Sequence, residues 1–148
     1  MTDLRRIPSE DAALALPALR ELRPGVPATA SAEALAAYLH SVGAEGYRLV
    51  GAFGPDRSGA AAVADYRTFT MLAFGRVLYV DDLSTLPEAR GRGYARALLR
   101  WLEAEARRLG CGGLHLDSGV GESRWAAHRL YLSAGLNITC HHFEKELT

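Results

Sequence analysis

The chain alternates between short apolar segments and polar turns, and most of these segments have the length and residue types of β-strands. Gly54, Pro55 and Asp56 form one predicted turn. Gly75 precedes the longest segment, and its position predicts a hairpin there. The predicted strands are Leu4–Ile7, Tyr47–Phe53, Ala60–Arg67, Arg76–Leu86, Leu114–Asp117 and a last extended segment, Ile138–Phe143, which could continue to Leu147.

Between these segments, apolar residues recur at the spacing of amphipathic helices. Ser9, followed by two acidic residues, is typical of a helix N-cap, and Gly110 is typical of a helix C-terminus. The predicted helices run from Ser9 to Leu22, from Ser31 to Gly43, from Arg92 to Leu109 and from Arg124 to Ala134. A strand, a helix and a second strand in succession require a right-handed crossover, so we expect an α/β or α+β fold with a mixed sheet.

Length and composition indicate one ordinary globular domain covering residues 1–148. A net charge of zero provides no field that would attract nucleic acid or an anionic membrane, so neither is expected as a partner. The N-terminus lacks the apolar run of a signal peptide, and no segment approaches the roughly 18 apolar residues of a membrane span. We therefore expect a cytoplasmic protein.

The two cysteines, Cys111 and Cys140, have no partner at the spacing of a zinc site or a redox pair. We expect two buried, reduced thiols and no metal site.

The turn between the longest strand and the third helix is the segment most suggestive of chemistry. Gly91 and Gly93 leave backbone N–H groups accessible at the N-terminus of that helix, and Arg90 and Arg92 add positive charge. A helix N-terminus with free N–H groups and nearby arginines is suited to bind phosphate. The segment is not a P-loop, because no Lys-Ser/Thr pair follows the glycines.

Arg90-Gly91-Arg92-Gly93-Tyr94-Ala95 resembles the Gln/Arg-x-x-Gly-x-Gly/Ala signature of the GNAT superfamily of acetyltransferases. Two further segments resemble the family's pattern in the right order. Leu83-Ser84-Thr85-Leu86-Pro87 is similar to the family's strand that ends in an apolar residue, any residue and proline. The segment from Leu130 to Leu136 is similar to its Tyr-x-x-x-Gly-Phe segment.

The resemblance implies a central mixed, mostly antiparallel sheet of six to seven strands, splayed in the middle after a bulge and flanked by about four helices. It implies acetyl-CoA as co-substrate. Backbone amides of Arg92, Gly93 and Ala95 would hold the pyrophosphate, with Arg90, Gly91 and Tyr94 in the same loop. Leu83 and Thr85 would pair with the pantetheine arm like an added strand, and an N–H near Leu83 or Ser84 would bind the oxyanion.

Acetyl transfer to an amine requires a base, because a primary amine with a pKa near ~10.4 is almost fully protonated at neutral pH. Asp81 and Asp82 lie just before the expected thioester, and strand alternation predicts that their side chains point to opposite faces. Either could be the base, or both could be solvated strand residues. Three histidines are further candidates: His115, His141 and His142.

Tyr131 occupies the position where many members of the family carry the general acid for the departing thiolate. Arg124 stands where many members have asparagine, and it could contact a phosphate of coenzyme A or lie on the surface. Direct attack in a ternary complex is expected rather than a cysteine intermediate.

The acceptor is predicted only as a primary amine of a small molecule or peptide. The resemblance places its specificity partly in the loop from Pro24 to Thr29, and it makes a homodimer possible. The alternative to an enzyme is a non-catalytic module that binds acyl-CoA as a sensor or for a partner protein.

Overall fold

Five strands form one mixed sheet in the computed structural model, which describes residues 2–56 and 58–148. Their order in the sheet is the order in the sequence. Each of the first four pairs antiparallel with its neighbour, and the last pairs parallel with the fourth. The strands are β1 (Asp3–Arg6), β2 (Arg48–Phe53), β3 (Ala60–Met71), β4 (Gly75–Thr85) and β5 (Gly113–Leu116). The mixed, mostly antiparallel sheet is as expected, but the predicted six to seven strands are wrong.

Four α-helices occur in the described residues: α1 (Leu16–Leu22), α2 (Ala32–Val42), α3 (Tyr94–Arg108) and α4 (Trp125–Ser133). Ser31 caps α2, because its hydroxyl accepts a hydrogen bond from the Ala34 N–H at 3.0 Å. The expected cap at Ser9 is wrong. Ser9 is the first residue of a 3₁₀ turn, Ser9–Leu14, whose helical geometry breaks at Asp11, so α1 begins only at Leu16.

The sheet separates two apolar cores. On one face, which we call the α1/α2 face, the side chains of β2 and β3 pack against the two N-terminal helices; examples are Leu19, Leu35 and Val63. On the opposite face, the α3 face, Leu78 and Val80 of β4 pack against Leu98 and Leu102 of α3. Burial of both sheet faces provides most of the stabilisation that this fold has available.

The predicted amphipathic helix after β4 is confirmed, since its buried residues follow the helical period along one side of α3. The helix begins at Tyr94 rather than Arg92, because Gly93 has a left-handed backbone with φ of 86° and cannot continue the helix. β4, α3 and β5 together form the predicted crossover unit, which accounts for the parallel pairing of β4 with β5.

The chain divides into two compact units, Met1–Leu116, which holds the sheet, and Asp117–Thr148, which holds α4. The predicted strand Ile138–Phe143 is absent, and residues 136–148 have no regular secondary structure. A strand gains stability by pairing and by burying one face. This segment does neither, and Ile138 and Phe143 are 74% and 90% exposed. Across the described residues, no helix is long and apolar enough to cross a membrane.

Candidate active site

β4 has a bulge at Asp81, which breaks the regular pairing with β3. Asp82 lies opposite Asp65 and Val80 lies opposite Tyr66, so Asp81 has no residue of β3 opposite it. On its other side, β4 pairs with β5 only from Val77 to Val80. The part of β4 from Asp81 to Thr85 is therefore paired on one side only within the described sheet. We call the end of the pairing between β4 and β5 the splay. It lies at the edge of the described sheet, because β5 is the last strand, and not in the middle of a sheet of six to seven strands as expected.

The bulge places both aspartates on the same face of the sheet. Val80 and Leu83 both pack in the core of the α3 face, so the two residues between them lie on the α1/α2 face. The expectation that Asp81 and Asp82 point to opposite faces is therefore wrong. Strand alternation fails at a bulge, because two successive residues there occupy the space of one.

Each of the two aspartates is held by an arginine. Arg67 donates to both carboxylate oxygens of Asp81, at 2.6 and 3.0 Å, and lies 3.7 Å from Glu45. Arg23, just after α1, donates to one oxygen of Asp82 at 2.7 Å. The bidentate pair with Arg67 uses both oxygens of Asp81. Asp82 has one oxygen outside its pair with Arg23, so the two carboxylates differ in what they offer to a ligand.

A third carboxyl group, that of Asp65, lies buried beneath Asp82. The Asp82 backbone N–H donates to Asp65 Oδ1 at 2.6 Å, and the Tyr47 hydroxyl donates to Asp65 Oδ2. Burial raises the pKa of Asp65 well above its ordinary value, and the charge of Asp82 adds to this effect. Burial likewise raises the pKa of Tyr47, which stays a phenol. Asp65, a residue of β3, thus fastens the bulged backbone of β4 to β3 and to Tyr47, which precedes β2.

Sequence analysis did not identify Asp65 as a site residue. The available signal was an aspartate within a predicted strand of alanine and valine, where aspartate is unfavourable. Such a residue is retained in a strand only if its polar atoms find partners.

The loop after β4 leads directly into the N-terminus of α3. Gly91 and Gly93 both have left-handed backbones, with φ of 76° and 86°, and a Cβ at either position would point into open space. The N–H groups of the first turn of an α-helix have no partner within the helix. Residues 91–93 are exposed, so this N-terminus can be approached from solvent. A phosphate could bind here without displacing any part of the protein.

The side chains of this loop have separate roles. Arg90 pairs with Glu21 of α1 at 3.1 Å, and Arg92 is exposed. Tyr94 packs against the core of the α3 face, with its hydroxyl beside Gly54, and Ala95 is partly buried in the first turn of α3. The side chain of Tyr94 is therefore a packing group, and only the backbone of Tyr94 is available to contact a phosphate.

The residues predicted to bind pantetheine lie on the stretch of β4 that β5 leaves unpaired. Leu83 and Thr85 are partly buried, and Ser84 is buried between them. They pair with Ala64, Ala62 and Val63 of β3, respectively. Their other edge is the one that the splay leaves available to an extended ligand.

Tyr131 is a buried residue of α4, in the second unit. Burial raises the pKa of its phenol, and the positive charge of Arg124 lowers it in part. The tyrosine is therefore protonated at neutral pH, as a general acid must be. Arg124 is half-buried and ends the 3₁₀ turn before α4.

Of the three histidine candidates, His141 and His142 are adjacent in the sequence and His115 is separate from them, and the three have different surroundings. The His115 ring contacts Phe74, with centroids 5.0 Å apart. His142 lies 3.0 Å from Asp117, and His141 is exposed.

The expectation of two buried thiols is wrong, because Cys140 is exposed on the irregular C-terminal segment and Cys111 is half-buried.

Comparison with known proteins agrees with this geometry. The profile of the acetyltransferase (GNAT) family matches residues 19–136. None of the curated proteins matches the chain.

Several solved structures share the fold. An acetyltransferase of Trypanosoma brucei is 21% identical with a TM-score of 0.79, covering 99% of this chain and 100% of that one. The aminoglycoside N-acetyltransferase AAC(6')-Iy in complex with CoA is 16% identical with a TM-score of 0.82, covering 99% and 95%. The glucosamine-6-phosphate N-acetyltransferase of Arabidopsis thaliana is 14% identical with a TM-score of 0.78, covering 100% and 99%.

The family profile spans the end of α1, the bulged strand and the glycine loop of the first unit, and Tyr131 of the second. The chain belongs to the acetyltransferase (GNAT) family.

Proposed function

We propose that this protein transfers the acetyl group of acetyl-CoA to a primary amine, by direct attack while both substrates are bound. The observation that carries the proposal is that a strand edge open to an extended ligand and a helix N-terminus suited to phosphate follow each other in the same compact unit. The half-paired stretch Asp81–Thr85 of β4 is followed, after the 3₁₀ turn Pro87–Ala89, by the exposed, glycine-rich N-terminus of α3. An extended chain that ends in a pyrophosphate matches this sequence of features.

We assign the pyrophosphate to the backbone amides of Arg92, Gly93 and Ala95, because the dipole of α3 and its free N–H groups favour an anion there. Arg90 would add charge on leaving its exposed pair with Glu21, and such a pair contributes little stability. The pantetheine arm would hydrogen-bond to the backbone of Leu83 and Thr85. Arg124 is proposed as a further phosphate contact.

In the proposed reaction the amine nitrogen attacks the thioester carbonyl, so a C–N bond forms and the C–S bond breaks. An N–H near Leu83 or Ser84 stabilises the oxyanion. We assign the base to Asp82 rather than Asp81, because Arg67 occupies both oxygens of Asp81. The amine proton passes to Asp82, and Tyr131 gives its proton to the departing thiolate.

This proposal is tested by titrating acetyl-CoA into the protein in a calorimeter and then measuring thiol release with a panel of small primary amines. The proposal predicts saturable binding and amine-dependent release of thiol. Binding without turnover of any amine would instead support a module that only binds acyl-CoA. Absence of binding would overturn the proposal.

Two further expectations accompany this function. We propose that the protein is a homodimer and acts in the cytoplasm. Light scattering of the purified protein and fractionation of the cells that produce it would test these two properties separately.

A further inference from the structure

Four rings lie together on the α1/α2 face of the sheet, beyond the helices that cover the rest of that face. The Phe69 and Tyr79 centroids are 6.0 Å apart, and those of Phe74 and His115 are 5.0 Å apart. Tyr79 and His115 are register partners across β4 and β5, so the two ring pairs adjoin. A Cβ at Gly113 would lie 2.9 Å from the His115 ring, so the glycine provides the space for that ring. We call these four rings the aromatic ledge.

The ledge is open to solvent. Phe69 is 38% exposed and Phe74 is 56% exposed. The pairing of β2 with β3 ends at Tyr66, so the hairpin formed by the end of β3 and the start of β4 extends past β2. Exposed aromatic groups that are clustered mark a binding surface more often than scattered ones do.

A pocket of about 510 Å³ joins the ledge to the bulge in β4. Such a volume is within the range of small-molecule sites. Phe69 and Tyr79 form its apolar wall. Asp81, Glu45 and Arg67 supply two carboxylates against one guanidinium, so the pocket has a net negative charge that suits an ammonium group. Arg67 is already paired with both carboxylates, so it is not available for an anion such as a sugar phosphate.

The separation of these groups limits the shape of a ligand. Tyr79 and Asp81 are two residues apart on β4, which corresponds to at most roughly 6–7 Å, because the bulge at Asp81 shortens the usual rise of a strand. An amine beside Asp81 and a ring on the ledge would therefore be joined by a chain of about two or three carbon atoms. Such a ligand would place its nitrogen where β4 begins its half-paired stretch.

We propose that the acceptor is a primary amine carried on a short chain by an aromatic ring, and that the ring docks on the aromatic ledge. This inference rests on the proposed function and specifies its acceptor. It separates this chain from relatives whose names indicate aminoglycoside or glucosamine-6-phosphate acceptors. Those compounds are rich in hydroxyl groups, and half of the ledge, its two phenylalanines, offers such groups no hydrogen-bond partner.

The test compares thiol release with 2-phenylethylamine, ethylamine and glucosamine. We expect kcat/KM for 2-phenylethylamine to exceed that for ethylamine by roughly tenfold or more, since the added ring is bound by the ledge. Phe69→Ala should remove most of this preference, because it should raise KM for the ring amine much more than KM for ethylamine. Leu72→Ala is the matched control, because Leu72 lies at the tip of the same hairpin and is fully exposed.

Several outcomes would overturn the ledge proposal while leaving acetyl transfer intact. One is equal kcat/KM for the two simple amines, another is a preference for glucosamine, and a third is an equal effect of Phe69→Ala on both simple amines. Dissociation of a dimer by Phe69→Ala would assign the ledge to a second copy of the chain instead.

If no amine is turned over, 2-phenylethylamine is titrated into the wild type and into Phe69→Ala in a calorimeter. The ledge proposal predicts that only the wild type binds this amine, and equal binding by both proteins, or none by either, would overturn it. Thermal melts check that Phe69→Ala is folded.

Discussion

At the scale of single residues, the proton on Tyr131 is the feature on which the proposed chemistry depends most. The phenol is buried and its pKa is raised, so it carries a proton throughout the neutral range. Tyr131→Phe keeps the ring and removes the proton donor. We expect kcat to fall by roughly 10²-fold, within the range for loss of a general acid. Acetyl-CoA affinity should change less than about twofold, as measured by calorimetry on both proteins.

A structural role for Tyr131 would give a different result. If the phenol only packs, Tyr131→Phe should leave kcat nearly unchanged, and a fall in acetyl-CoA affinity equal to the fall in kcat/KM would assign it to binding instead.

Asp65 leads to a prediction about pH and stability. Its pKa is raised in the folded protein, so the folded state holds this proton more tightly than the unfolded state does. The stabilisation that this proton provides is fully present below the pKa of the carboxyl group in the unfolded state, about 3.9. It is lost as pH rises through the pKa of the same group in the folded state. Asp65→Asn keeps an oxygen for the Asp82 N–H and cannot ionise. Its free energy of unfolding should decline less than that of the wild type as pH rises from about 4 to 7.

Urea unfolding at several pH values measures this difference. Asp65→Leu is the contrasting variant, because it leaves the Tyr47 hydroxyl and the Asp82 N–H without their partner, at a cost of roughly 1–3 kcal/mol for each buried group. Parallel pH profiles for the wild type and Asp65→Asn would show that Asp65 is ionised in the folded protein.

At the scale of elements, the N-terminus of α3 offers a matched pair of glycines. Gly93 and Gly110 lie at opposite ends of this helix, both have left-handed backbones, and a Cβ on either would meet no atom within 4 Å. Alanine at each position should therefore cost a similar amount of stability, roughly 1–2 kcal/mol. Only Gly93→Ala should weaken acetyl-CoA binding, by about tenfold or more, because its Cβ points towards the proposed pyrophosphate.

Calorimetric titration of acetyl-CoA, with thermal melts of the same two proteins, separates the two effects. Equal affinities of Gly93→Ala and Gly110→Ala would place the phosphate elsewhere.

The limits of prediction from sequence also appear at this scale. Local signals identified most elements, including the start of α2 at Ser31, α3 and the glycine loop. The family resemblance implied a bulge, but its position at Asp81 was not predicted, because a bulge is defined by the register between two strands, and that register depends on how each strand packs. Because the position of the bulge was not predicted, the side chains of Asp81 and Asp82 were wrongly expected on opposite faces of the sheet. Ile138–Phe143 has the residues of a strand but no partner, and pairing cannot be predicted from the segment alone.

At the scale of the whole molecule, the first unit holds the sheet, the half-paired strand, the glycine loop and the aromatic ledge, while Tyr131 and Arg124 belong to the second. The family match crosses this boundary, since it extends from residue 19 to residue 136. The sequence motifs predicted the family and the cofactor-binding segments. The sequence placed acceptor specificity only in the loop from Pro24 to Thr29, whereas the acceptor site that we propose would be built from residues of β3, β4 and β5 that only the folded sheet brings together.

The measurement that tests the central claim most directly is the stoichiometry of the reaction. The protein, acetyl-CoA and 2-phenylethylamine are incubated together, and thiol and N-acetylated amine are quantified in the same sample by absorbance and mass spectrometry. The account predicts one acetylated amine for each thiol released, at a rate that depends on both substrates. Thiol release without acetylated amine would show hydrolysis rather than transfer, and it would contradict the proposed function.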